Sequence, residues 1–294
     1  MMQFNEIGHQ IRAYRMESGL KAEEIAARLG VSRAALYRYE KGEVIKLDTV
    51  KRLAELLKIS PLTLLGIGVE YFSRPIGFLE RVRQIEESAD QILEIAGPIS
   101  FLTTSDQYEA FVGQMFDELA DTAGTDRAGY QAAAEQVLSA LASRKRMFAA
   151  RRPSVISVLT PRSLRRFVME GIGGALPLSE SLRSRSREIA RREVERVADL
   201  VESEPMGLQF GLSQGVEPTS QFILLRARDR ATLAINPFPP DAAPNAQSGI
   251  AMITSAEDAL QSHQRIAEQA WRDATKGGVA ARQIREILVS VRVG

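Results

Sequence analysis

The sequence predicts an all-α N-terminal domain of five helices followed by a C-terminal α/β domain, and three observations carry that expectation. Up to Leu65 the apolar residues recur at three- and four-residue spacing, the period of a helix face. Beyond Pro98, short β-branched runs alternate with helical stretches. The length of 294 residues exceeds one small helical module and suits two domains. With 45% apolar and 26% charged residues the composition is that of a folded soluble chain.

Ile7, Ile11 and Tyr14 define a first helix that Gly19-Leu20 ends. The run from Lys21 to Glu40 holds two helices across a tight turn: Gly30 supplies positive φ, Ala26 is small at the helix crossing, and Ser32 caps the third helix. Ile25, Leu29, Val31, Leu36 and Tyr39 are the expected shared core, with Tyr37 at the surface. Leu47–Leu57 makes a fourth helix with Val50, Leu53, Ala54 and Leu57 inward, and Ser60-Pro61 opens a fifth.

Residues 5–66, with the Tyr39-Glu40-Lys41-Gly42-Glu43 segment, resemble the phage-repressor-like Cro/XRE helix-turn-helix family. That resemblance implies a third helix lying in the DNA major groove, with Arg33, Ala34, Tyr37 and Arg38 facing bases and Ser32 a phosphate. Lys21, Lys41 and Lys46 are the further phosphate partners, and Arg15 would pair with Glu40. Ala22 stands where the family often has glutamine, which puts a contact from that position in doubt. The implied partner is double-stranded DNA with two half-sites, bound by a homodimer; the other reading is an interaction module whose C-terminal domain binds a protein.

The expected divisions are 1–68 for the helix-turn-helix domain, 69–97 for a linker and dimerisation helix, and 98–294 for an α/β domain sensing a small-molecule effector. Phe78, Val82, Ile85, Ala89 and Ile92 follow a four-three-four-three spacing, read as a coiled-coil seam. Ile99–Thr103 and Ile156–Thr160 are read as neighbouring parallel strands, each followed by a helix. Further strands are expected at Gly207–Leu212, Gln221–Arg226 and Thr232–Asn236, the last two a hairpin around Arg228-Asp229. Two helices, 256–275 and 279–290, close the chain, the first opened by a Ser255/Asp258 capping box. Helix N-termini beyond the parallel strands suit a polar ligand, which nominates Thr103, Thr104, Ser105, Thr160 and Arg162.

The hairpin and Asn236-Pro237-Phe238 resemble phospholipase D-like sensor domains, but aligning Asp229 puts Phe222 and Leu224 where that chemistry needs histidine and lysine. With no cysteine and only His9 and His263, no catalytic residue, metal or cofactor is expected. Gly171–Gly174 reads as a loop, the arginine-rich stretch from Arg183 to Arg196 as a solvated helix face over Ala190, Val194, Val197 and Val201, and Trp271 as core. The net charge of +1 gives no overall pull toward nucleic acid. Lacking an export signal or a long apolar run, the chain is expected in the cytoplasm, associated with the nucleoid and away from membranes.

Overall fold

Helix-end chemistry, visible in the sequence, sets the first five elements: α1 (Phe4–Ser18), α2 (Ala22–Leu29), α3 (Arg33–Glu40), α4 (Leu47–Leu57) and α5 (Pro61–Leu64). The structure is a computed structural model that describes residues 4–95, 97–122, 126–174, 176–214, 221–238, 242–244 and 248–291. Gly30 closes α2 at φ 68°, letting Val31 N–H reach the Ala26 carbonyl. The Ser32 and Ser60 hydroxyls accept from the N–H groups of Ala35 and Leu62. Ile25, Leu29, Leu36, Val50, Leu53, Ala54 and Leu57 are buried together around Ile11.

The remainder is a seven-stranded sheet between helical layers. Its strands are β1 (Val69–Phe72), β2 (Gln91–Ile95), β3 (Ser154–Leu159), β4 (Leu208–Leu212), β5 (Phe222–Arg226), β6 (Ala231–Ile235) and β7 (Ala251–Thr254), in the order β1-β7-β6-β5-β2-β3-β4. Only the β2–β3 and β3–β4 pairs are parallel. One face is covered by α11 (Glu257–Asp273), which buries Ala267 over Leu93, Ile95, Val158, Phe222 and Leu224. The other carries α6 (Pro75–Glu86), α7 (Asp106–Thr122) and α8 (Arg127–Arg151) over the centre. Against β3 and β4 it carries α9 (Pro161–Glu170), α10 (Glu180–Ser203) and α12 (Gly277–Ser290). The α10 stripe of Ala190, Val194, Val197 and Val201 is buried as its spacing predicts.

The expected linker is absent: residues 69–95 are the join between the two halves. Val69–Phe72 is an edge strand on β7, α6 is buried along all but one of its side chains, and Gln91–Ile95 is an interior strand. Phe78, Val82 and Ile85 therefore pack inside this chain, Ala89 lies in a turn, and Ile92 sits on β2. The four-three spacing misled because the apolar stripe of α6 packs inside its own chain, while its polar residues Glu80, Arg81, Gln84 and Glu86 are buried as well, so the stripe mimics a seam without being one. Ile99–Thr103 is not a strand: Phe101–Thr103 is a single 3₁₀ turn, and β2 supplies the parallel partner of β3 instead. The Ser255/Asp258 capping box does not form either. Ala256 is the N-cap, and its N–H is taken by the Thr254 hydroxyl.

α1 is seated on the sheet domain by specific contacts. Tyr14 stacks on Phe72 with ring centroids 5.0 Å apart. The Glu17 carboxylate accepts from the N–H groups of Ser73 at 2.6 Å and Arg74 at 3.1 Å, capping α6 from a different helix. Buried Arg81 pairs with Glu70 at 2.8 Å and with Glu6, and Arg12 reaches Glu80 at 2.7 Å. Gly77 permits this approach, since a Cβ there would lie 2.8 Å from the Glu17 Cβ. One apolar cluster runs from Leu36 and Leu53 through Phe72 and Phe78 to Ile92 and Ile253.

Candidate nucleic-acid interface

The recognition face is built outward from a buried ion pair. Arg15 of α1 donates to both carboxylate oxygens of Glu40, at 2.5 and 3.1 Å, fixing the C-terminal turn of α3 against α1. Glu40 is buried, so this contact orients α3 rather than meeting a ligand. The Arg15 guanidinium also lies 5.9 Å from the Tyr37 ring centroid. Tyr37 and Tyr39 are both half-buried, so Tyr39 is less interior than its spacing predicts.

On the open side of α3, Arg33 and Arg38 have side chains 57% and 61% exposed. Arg33 stacks on Tyr37 at 5.3 Å, reaches its hydroxyl at 3.2 Å, and pairs with Glu23 of α2 at 2.6 Å. Arg38 pairs with Glu43 at 3.3 Å. Exposed pairs of this kind contribute about 0–1 kcal/mol, so either guanidinium exchanges its carboxylate for a phosphate or a guanine edge at small cost. Ala34 lies exposed between them with no bulk of its own. Ser32 is exposed too, its oxygen held by the Ala35 N–H while its hydroxyl proton remains available to an acceptor.

Three lysines frame this face. Lys21 and Lys46 occupy the N-cap positions of α2 and α4 without a side-chain cap, and Lys41 is the C-cap of α3. First-turn N–H groups beside lysines favour an anion, opposed here by Glu23, Glu24 and Asp48. All three lysines are exposed, and they stand at the ends of α2, α3 and α4, next to the helix that carries Ser32, Arg33, Ala34, Tyr37 and Arg38. Sequence reasoning missed the charge partners Glu23 and Glu43.

The nominated ligand residues fare differently. The Thr103 and Thr104 hydroxyls donate to the Ser100 and Phe101 carbonyls at 3.0 and 2.8 Å. Ser105 gives its N–H to Glu193 at 3.1 Å and its hydroxyl to the same carboxylate. Buried Thr160 accepts from Ser163 N–H at 3.1 Å as the cap of α9, and Arg162 is exposed one residue into that helix. The four hydroxyls are thus engaged in capping, turn closure or a carboxylate contact, and of the five only Arg162 is exposed. An open cleft of about 480 Å³ lies instead beside β4, walled by Leu200, Met206, Phe210, Trp271 and Lys276. Trp271, read from sequence as core, is half-buried on that wall, with the Lys276 ammonium 4.6 Å from its ring centroid. Phe222 and Leu224 are buried on β5. Among the described residues no group of His, Asp and Glu could hold a metal, and no helix is long and apolar enough to cross a membrane.

Residues 11–64 match the helix-turn-helix family, and this segment is a helix-turn-helix domain of the Cro/XRE type. The match supports a DNA-binding transcription regulator and ends before the sheet. No curated protein matches the chain. Among solved structures it is similar to TrmBL2, described as an archaeal chromatin protein whose structure shows a novel mode of DNA binding. That likeness has 12% identity and a TM-score of 0.33, over 78% of this chain and 62% of the other. The chain thus spans less than two thirds of that structure's length.

Proposed function

We propose that the chain is a sequence-specific, dimeric transcription regulator that reads duplex DNA with α3 and senses a small-molecule effector in its sheet domain. The observation that carries the reading is α3 itself, locked behind by Arg15–Glu40 and presenting Arg33 and Arg38 outward. Arginine can bond guanine O6 and N7 together, so Arg33→Ala and Arg38→Ala are each expected to weaken binding to the selected site by roughly 1–3 kcal/mol. Selection of sites from a random duplex pool followed by titration of both variants tests this. Equal losses on selected and random DNA would make these arginines phosphate contacts.

Apolar surface on the chain leaving the helical domain favours pairing of two copies: Leu62, Ile67 and Tyr71 are 56%, 48% and 55% exposed. A two-fold arrangement through that segment supplies readers for two half-sites, and it replaces the buried seam as the dimer contact. For the effector, the β4 cleft has the volume of a small-molecule site, and Trp271 is the only tryptophan of the chain. Effector screening by intrinsic fluorescence is expected to report binding as a change in Trp271 emission that Trp271→Phe abolishes. An effector that shifts DNA affinity with unchanged emission binds elsewhere.

A further inference from the structure

The turn between β5 and β6 places three arginines in five residues, Arg226, Arg228 and Arg230, with Asp229 among them. Ala227 N–H closes the turn on the Arg230 carbonyl at 2.8 Å, and Arg228 and Arg230 are exposed at its tip. Arg151 and Arg152, exposed where α8 meets β3, lie on the same margin of the sheet. Asp90 N–H bonds the Arg226 carbonyl at 2.8 Å, and the Asp90 carbonyl accepts from Ser154 N–H at 2.9 Å.

This margin is also where the chain arrives from the helical domain. Val69 pairs with Thr254 there, and the Thr254 hydroxyl reaches the Gly68 carbonyl at 3.5 Å. Arg230 pairs with Glu6 of α1 at 3.3 Å. The neighbouring Asn5 lies directly against Gly42, beside Lys41 at the end of α3, since a Cβ on Gly42 would fall 2.9 Å from the Asn5 Cα. The arginine margin thus continues the basic border of the recognition face with one turn of α1 between them.

We propose that this margin, from the β5–β6 turn to the start of β3, is a second contact with the DNA phosphate backbone, made by the duplex that α3 holds. The inference rests on the DNA-reading function proposed above. Across β6, β5, β2 and β3 the margin measures about 14 Å at ordinary strand spacing. That length of duplex carries on the order of eight phosphate charges. Against the five arginines stand Asp90, Asp229, Glu87 and the Glu6 that pairs with Arg230, leaving a surplus of one positive charge for an anionic partner. DNA is the occupant because the recognition face already brings it alongside, which raises its local concentration at the arginines. Guanidinium groups on a sheet margin track a backbone and carry no base pattern, so the contact adds affinity and footprint without sequence preference.

Fluorescence anisotropy on random-sequence duplexes of about 40 and about 12 bp, in roughly 50–300 mM KCl, tests the contact. The full-length protein and the Arg228→Ala/Arg152→Ala variant are compared, with the double charge reversal to glutamate as a second variant. On the longer duplex the alanine pair is expected to lower the slope of log Kd against log salt by about 2, with an affinity loss of about tenfold at low salt. The reversal is expected to lose more, and the shorter duplex, which spans only the helical domain, to give equal affinities. Unchanged slope and affinity on the longer duplex, with the unaltered protein bound, overturn the arginine margin and leave the α3 reading standing. Equal losses on both duplexes overturn it as well. If the unaltered protein binds neither duplex, both proposals fall together.

Discussion

Arg144→Ala is expected to destabilise the protein by about 3–5 kcal/mol, read as a lower urea midpoint at unchanged m-value. The Arg144 and Glu86 side chains are 6% and 5% exposed, and the guanidinium donates to both carboxylate oxygens at 2.7 and 2.8 Å. It also lies 5.3 Å from the Phe101 ring centroid. Truncation removes the cation that balances Glu86 in a site without access to bulk water, so the carboxylate must protonate or draw water inward. Replacing both partners with apolar residues, as in Arg144→Met/Glu86→Leu, removes that penalty and is expected to recover most of the loss. A single-variant loss under about 1 kcal/mol would mean that the site is wet and the pair screened.

The same pair ties α8 to the last turn of α6, whose first turn is capped by Glu17 of α1. The middle of α6 holds Arg81 and Glu80, which reach Glu6 and Arg12 of α1. α6 is therefore a rigid bracket between the sheet domain and the recognition domain. A rearrangement of α8 would be transmitted to α1 through the charged contacts along that bracket.

Legibility in the sequence followed what each residue has to satisfy. The helical domain was readable because its punctuation is local: Gly30 needs positive φ, Ser32 and Ser60 cap, and Pro61 opens a helix. The β5–β6 hairpin and both C-terminal helices were readable from turn residues and spacing. α6 was not, because Glu80, Arg81, Gln84 and Glu86 are polar yet buried, satisfied in part by partners up to 75 residues away that no local pattern reveals. The join at Val69–Phe72 was missed for a related reason: four residues pairing with a strand near residue 251 leave little periodic signal. Of the site, the arginines of α3 were legible through the motif. The cleft at β4 was not, since it gathers residues from α10, the loop after it, β4, α11 and the segment after α11.

Glu94→Gln is expected to stabilise the protein at about pH 8 by about 3 kcal/mol and to change little below about pH 4. Glu94 lies on β2, and its Oε2 is buried without a hydrogen-bond partner. Burial pushes its carboxyl from the ordinary 4.5 up to about 7, an effect opposed by the Ser100 hydroxyl and by Arg144 and reinforced by Glu86. Between those two values the native protein keeps a proton that the unfolded chain has released. Its contribution to stability is therefore fully present below about pH 4.5 and is lost as pH rises through 7. Glutamine keeps the shape of the protonated acid and has no charge to bury, so the variant escapes that loss. His9 works in the opposite direction: burial first, and Arg81 next, lower its pKa, so its contribution grows as pH rises. The slope of the wild-type protein alone therefore mixes two signs, and the difference between the two proteins isolates Glu94. Urea midpoints measured at about pH 5, 6, 7 and 8 should diverge up to about pH 7 and level off by about pH 8; parallel curves would mean that Glu94 is ionised and hydrated across the whole range.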